Sequence, residues 1–219
     1  MTVVEESAFD RVARHGIVPV IAVDKVEHAL PLADALLEGG LPVIEITFRT
    51  AAAAEVMSKL RAERPALLVG AGTVLSTAHL ETARACGAAF AVAPGLNPRI
   101  VRRAQEMGLP FIPGVATPSE IEAGLDLGCR LLKFFPAEAS GGVAMLEALS
   151  SPFKHTGVRF MPSGGITTAN LESYLKLDTV ALVGGTWLAK KEDVASGKWD
   201  EIRARCRAAL AIVASVRAG

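Results

Sequence analysis

Residues 43–72, VIEITFRTAAAAEVMSKLRAERPALLVGAG, decide the fold. VIEITF is a short run rich in β-branched residues, AAAAEVMSKLRAE is built of helix formers, and LLVGAG returns to an apolar run of strand length. A strand, a helix and a second strand in that order are the repeating unit of a parallel α/β fold. The rhythm continues in both directions. Upstream, an amphipathic segment from about Glu5 to His15 precedes a first strand, IVPVIAV at 17–23, and a helix, VEHALPLADALLEGG. Downstream, strands are expected in AFAVAP, PFIPGV, RLLKFF, VRFMPSG and VALVGG, with helical stretches between them and a last helix from about Trp199 to Val216.

Eight short apolar strands alternating with helices point to a closed parallel (β/α)8 barrel of the TIM type, spanning 1–219 as one domain, with the extra N-terminal helix across its bottom. An open dinucleotide-binding sheet is disfavoured because no Gly-rich fingerprint follows the first strand. Glycines at Gly39-Gly40, Gly87, Gly108 and Gly128 close helices, as left-handed C-caps do.

The charges balance at 23 basic and 23 acidic residues. No positive field of the kind that draws a protein to nucleic acid or anionic lipid is therefore expected. No run reaches membrane-spanning length, and the N-terminus lacks a secretory pattern. Cys86, Cys129 and Cys206 are isolated and odd in number, which fits a reducing cytoplasmic compartment. The expected partner is a small molecule.

Barrel active sites lie at the C-terminal strand ends, and the polar residues there form a set. Lys133 stands inside the apolar run LLKFFPAEASGG, where an ammonium needs a partner or serves as an amine nucleophile. Glu45, Thr47 and Arg49 alternate along VIEITFR and share one face. They read either as a structural ion pair, or as a proton-transfer carboxylate with an anion-holding guanidinium. Thr73 offers a hydroxyl and an amide for a carboxylate, or else caps the following helix. Phe135 walls the pocket or packs the barrel. Ser163-Gly164-Gly165 and Gly184-Gly185-Thr186 follow the last two strands, where bare amides near a helix N-terminus cradle phosphate. The four histidines show no metal-ligand spacing, so no metal is expected.

The motifs PVIAV, GGLPVIEITFRT, VGAGTVL, FAVAPGLNP, IPGVATPSE, LLKFFPAEASGG, PSGGIT and VGGTWL together resemble the bacterial 2-keto-3-deoxy-6-phosphogluconate (KDPG) and 4-hydroxy-2-oxoglutarate (KHG) aldolases, end to end. The resemblance implies a class I aldolase with Lys133 as Schiff-base lysine, Glu45 as acid/base, Arg49 and Thr73 at the substrate carboxylate and Phe135 as pocket wall. Ser163, Gly164, Gly165, Gly184, Gly185 and Thr186 would hold phosphate. It further implies pyruvate and a phosphorylated keto acid as ligands, no cofactor and a homotrimer. Ser163 and Thr186 depart from the Thr and Ser frequent in the family, and both keep a hydroxyl. The alternatives are a galactonate-specific aldolase, a non-covalent phosphate-binding isomerase or synthase, and a sugar-phosphate binding or scaffolding barrel without turnover.

Overall fold

The computed structural model describes residues 8–218. After α1 (Ala8–Ala13), strands and helices alternate as β1 (Ile17–Ile21), α2 (Ala29–Glu38), β2 (Val43–Thr47), α3 (Ala53–Glu63), β3 (Leu68–Gly72), α4 (Thr77–Ala85), β4 (Phe90–Val92) and α5 (Pro98–Glu106). They continue as β5 (Phe111–Ile112), β6 (Gly114–Val115), α6 (Pro118–Asp126), β7 (Leu131–Phe134), α7 (Gly142–Ser150), β8 (Arg159–Pro162), α8 (Thr168–Leu175) and β9 (Val183–Gly185). Two helices, α9 (Lys191–Ala195) and α10 (Trp199–Ala218), close the described chain. The expected opening helix is present from Ala8; Glu5 to Ser7 lie outside the described residues. The short α9 had not been anticipated.

All strand pairings are parallel, in the orders β5-β4-β3-β2-β1-β9 and β6-β7-β8. The two sheets are one curled sheet interrupted at two places. Pro113 divides the fifth expected strand into β5 and β6: it has no N–H to give the ladder, yet its carbonyl accepts from Lys133 N–H at 2.8 Å. The first half therefore pairs with β4 and the second with β7. Between β8 and β9, Ala181 N–H donates to Phe160 O at 2.9 Å, and Ser163 bridges Gly184. These contacts close the ring, so nine segments occupy eight barrel positions.

Strands β1, β2 and β7 are buried at every residue, as expected of a sheet covered on both faces. Helices cover the outside with one apolar stripe each; α10 buries Ile202, Cys206, Ala209 and Val213 at helical spacing. Four helices end as expected, with Gly40, Gly87, Gly108 and Gly128 in the left-handed region. In each, paired backbone bonds such as Leu41 N–H to Leu36 O and Gly40 N–H to Leu37 O, both 2.9 Å, turn the chain toward the next strand. Gly39 differs: it is right-handed, and a Cβ there would lie 2.7 Å from Cys206 Cβ. Its reason is the close approach of α2 and α10.

The N-terminal helix lies at the bottom as expected: Arg11, Arg14 and His15 line a cavity with Pro42, Leu68 and Ala89, where β2, β3 and β4 begin. No helix among the described residues is long and apolar enough to cross a membrane. Cys86, Cys129 and Cys206 are free, and burial pushes the Cys206 thiol up to about 12.

Candidate active site

β2 and β7 face each other across the barrel, and each carries one ionisable group into its interior. Glu45 is fully buried and Lys133 nearly so, with Nζ 3.5 Å from Glu45 Oε1. Removing both charges from water costs several kcal/mol, as an order of magnitude, and a structural pair offsets this only when its remaining lone pairs are satisfied. Here neither Glu45 oxygen makes a hydrogen bond among the described residues. A carboxylate left like this has both oxygens open to the donors of a ligand. The space for it comes from Gly72 on the adjacent strand, where a Cβ would lie 2.2 Å from Oε1 and 2.7 Å from Cγ. Nothing in the motif VGAG marks that dependence, because it arises only from the β2–β3 register that sets Thr47 opposite Gly72.

The structural ion pair between Glu45 and Arg49 is not formed. Arg49, just beyond the end of β2, donates Nε to Thr47 Oγ1 at 3.2 Å, and Thr47 Oγ1 donates to Ile21 O at 3.2 Å. The guanidinium is exposed at the barrel mouth, with its remaining donors available to an anion. Thr73 is the one non-glycine among the described residues with positive φ, at 55°. Such a conformation costs on the order of 1–3 kcal/mol and gathers at functional sites. Thr73 does not cap α4; Ser76 does, accepting from His79 N–H at 3.1 Å. Thr117 and Glu120 form a capping box on α6.

Phe135 closes one side, its ring centroid 5.6 Å from Lys133 Nζ. The chain beyond it is stacked on the loop after β8: Ala137 N–H donates to Ser163 O at 2.8 Å and Glu138 N–H to Gly164 O at 3.0 Å. Tyr174 of α8 holds that stack from outside through a 2.5 Å hydrogen bond to Glu138 Oε1; burial, and secondly that bond, raise the Tyr174 pKa well above its usual range. Gly164 and Gly165 have φ of 100° and 82°. A Cβ on Gly165 would lie 2.6 Å from Glu138 Cβ.

A cavity of about 670 Å³ opens on this face, lined by Arg49, Gly165, Ile166, Thr167, Thr186 and Trp187 among others. The N–H groups of Gly165 and Ile166 make no hydrogen bond among the described residues. Of the candidate phosphate residues, Gly165 and Thr186 line the cavity, while Ser163 is buried beneath it. Gly184 and Gly185 lie within β9, where their bareness admits the Ser163 and Trp187 side chains; a Cβ would meet them at 2.8 and 2.4 Å.

Fold and site together are those of a barrel lyase of the amine-nucleophile type, with a buried lysine beside a buried carboxylate and a cation-lined mouth. Residues 9–205 match the family model described as KDPG and KHG aldolase, and the chain belongs to that family. It is 43% identical to the 2-dehydro-3-deoxy-phosphogluconate aldolase of Haemophilus influenzae, over 97% of this chain and 100% of that one. With the KHG/KDPG aldolase of Escherichia coli K12 it shares 44% identity over 89% of this chain and 90% of the other. The KDPG aldolase of Legionella pneumophila, with pyruvate captured at low pH as a covalent carbinolamine intermediate, superposes with a TM-score of 0.88 at 40% identity, covering 92% and 97%. The chain is an aldolase, a carbon–carbon lyase.

Proposed function

We propose that this chain cleaves 2-dehydro-3-deoxy-6-phosphogluconate reversibly to pyruvate and glyceraldehyde 3-phosphate, and 4-hydroxy-2-oxoglutarate to pyruvate and glyoxylate, through an imine on Lys133. The observation that carries this reading is the buried Lys133–Glu45 pair, with its 3.5 Å separation and both Glu45 oxygens lacking hydrogen bonds.

In this reading the Lys133 amine attacks the C2 ketone, and Glu45 shuttles the protons that convert the carbinolamine to an iminium and water. Glu45 then takes the C4 hydroxyl proton as the C3–C4 bond breaks, the bonding pair passing into the iminium to give an enamine. Protonation at C3 and hydrolysis release pyruvate and free the amine. The imine is itself the electron sink, so the scheme uses no cofactor. Arg49 and Thr73 hold the keto-acid carboxylate, and Phe135 excludes water from the imine. Gly165, Ile166 and Thr186 receive the phosphate through amides and a hydroxyl, with Ser163, Gly164, Gly184 and Gly185 shaping the cradle beneath.

The proposal extends to a cytoplasmic homotrimer in which residues 1–219 act as one catalytic domain. The free cysteines support the compartment, and the family resemblance supports the assembly. Sedimentation at micromolar concentration tests the trimer. Borohydride reduction in the presence of pyruvate, followed by peptide mass analysis, tests the chemistry. An adduct on Lys133 is expected; pyruvate binding without an adduct would replace the covalent reading with a non-covalent one.

A further inference from the structure

The proposed cradle leaves one charge unanswered. Amides and a hydroxyl receive the phosphate, and Arg49 is assigned to the carboxylate. A phosphate monoester carries close to two negative charges at neutral pH. The cavity that includes Gly165 and Thr186 is also lined by Lys190 and Lys191, so its lining holds three cations with Arg49 against the single carboxylate of Glu192.

The two lysines are not equivalent. Lys191 Nζ pairs with Asp24 Oδ2 at 3.0 Å, beyond the end of β1. Lys190 is exposed and makes no side-chain hydrogen bond or ion pair among the described residues. Its backbone, by contrast, is held on both sides. Arg205 of α10 donates Nη1 to Trp187 O at 3.0 Å and Nη2 to Asp193 Oδ2 at 2.6 Å. The N–H groups of Asp193 and Val194 both donate to Lys190 O at 3.0 Å. On the same stretch Trp187 is buried, and its Nε1–H has no acceptor among the described residues. A fixed backbone thus presents an uncommitted ammonium at the rim of a cation-lined cavity, which reduces the ordering cost of engaging an anionic ligand.

We propose that Lys190 is a specificity residue that pairs with the distal phosphate, so that this chain favours phosphorylated keto acids over unphosphorylated ones. The inference rests on the aldolase reading above. The quantity that reports it is the ratio of kcat/KM for 2-dehydro-3-deoxy-6-phosphogluconate to that for 4-hydroxy-2-oxoglutarate. A solvated cation a few ångströms from a dianion contributes a factor of about 3 to 10. Lys190→Gln should lower the ratio by that factor, Lys190→Glu should lower it further, and Lys190→Arg should retain it. Raising the salt should shrink the difference between wild type and Lys190→Gln. A general loss of folding or of chemistry would depress both substrates together and leave the ratio unmoved. Borohydride trapping of pyruvate on the wild-type chain separates the two claims. With the Lys133 adduct present, an unchanged ratio in Lys190→Glu overturns the role of Lys190 alone; without the adduct, the imine mechanism and this inference fall together.

Discussion

Gly72→Ala adds one methyl group and should cost far more activity than stability. The φ of Gly72 lies outside the left-handed region, so alanine suits the backbone and the effect is steric. The new Cβ would stand 2.2 Å from Glu45 Oε1 and 2.8 Å from Cδ, while β2 and its fully buried side chain leave the carboxylate little room. Restoring van der Waals contact moves the carboxylate by about 1 Å. A shift of that size at a proton-transfer group costs on the order of 10²-fold in kcat, equivalent to about 2.7 kcal/mol of transition-state stabilisation. Overpacking a buried site costs about 1–3 kcal/mol, partly offset by the lower chain entropy of alanine, so Tm should fall by only a few degrees. The assay is pyruvate release under saturating substrate, with thermal unfolding in parallel. In a Glu45→Ala background, where the obstructed side chain is gone, adding Gly72→Ala should cost almost nothing more. A Gly72→Ala enzyme with near-normal kcat, or additive losses in the double variant, would refute the claim that Gly72 exists to seat Glu45.

Glu45→Gln should lower kcat by about 10²-fold or more while pyruvate can still be trapped on Lys133 after long incubation, because the amine and the pocket remain. Gly164→Ala meets both a φ of 100° and a contact 3.2 Å from Phe135 Cε2, so it should weaken phosphorylated substrate more than unphosphorylated. Equal losses in steady-state assays would assign the damage to the Phe135 wall instead. The hydrogen bond from Arg205 to Asp193 holds that carboxyl below its usual range. A depressed folded-state pKa stabilises the protein above the unfolded value near 4, and that contribution is lost as pH falls through the folded value. Asp193→Asn should therefore destabilise the protein at neutral pH and flatten the acid limb of its stability profile, as read by Tm from pH 7 downward.

The one-dimensional pattern carried most of the architecture. VIEITF is short and β-branched and LLKFF is a short apolar and aromatic run, both of strand rather than helix length, and the glycines at 40, 87, 108 and 128 mark where four helices turn back. Alternation also placed Glu45, Thr47 and Arg49 on one face, because side-chain direction in a strand is a local property with period two. The chemical types were legible for the same reason: a lysine within LLKFFP stands out against its neighbours.

Strand-end positions already put Lys133 and Glu45 at one barrel mouth, but the contacts that depend on how the strands meet were not legible in sequence. That Lys133 comes within 3.5 Å of Glu45 follows from closure of the barrel, and so does the failure of Arg49 to pair with Glu45. Only the register of β2 on β3 shows that Gly72 is a space for a carboxylate rather than a turn glycine, and only the packing of α10 shows the same kind of reason at Gly39. The glycines of β9 likewise gave way to side chains from elsewhere, leaving Gly165 and Thr186 to line the cavity. By itself the sequence determined the alternation of elements, the faces of single strands and the inventory of reactive groups, all of which are set by neighbours along the chain. The tertiary structure decided which groups share space, because contacts across a closed barrel join residues far apart in sequence, and no local pattern encodes the empty volume between them.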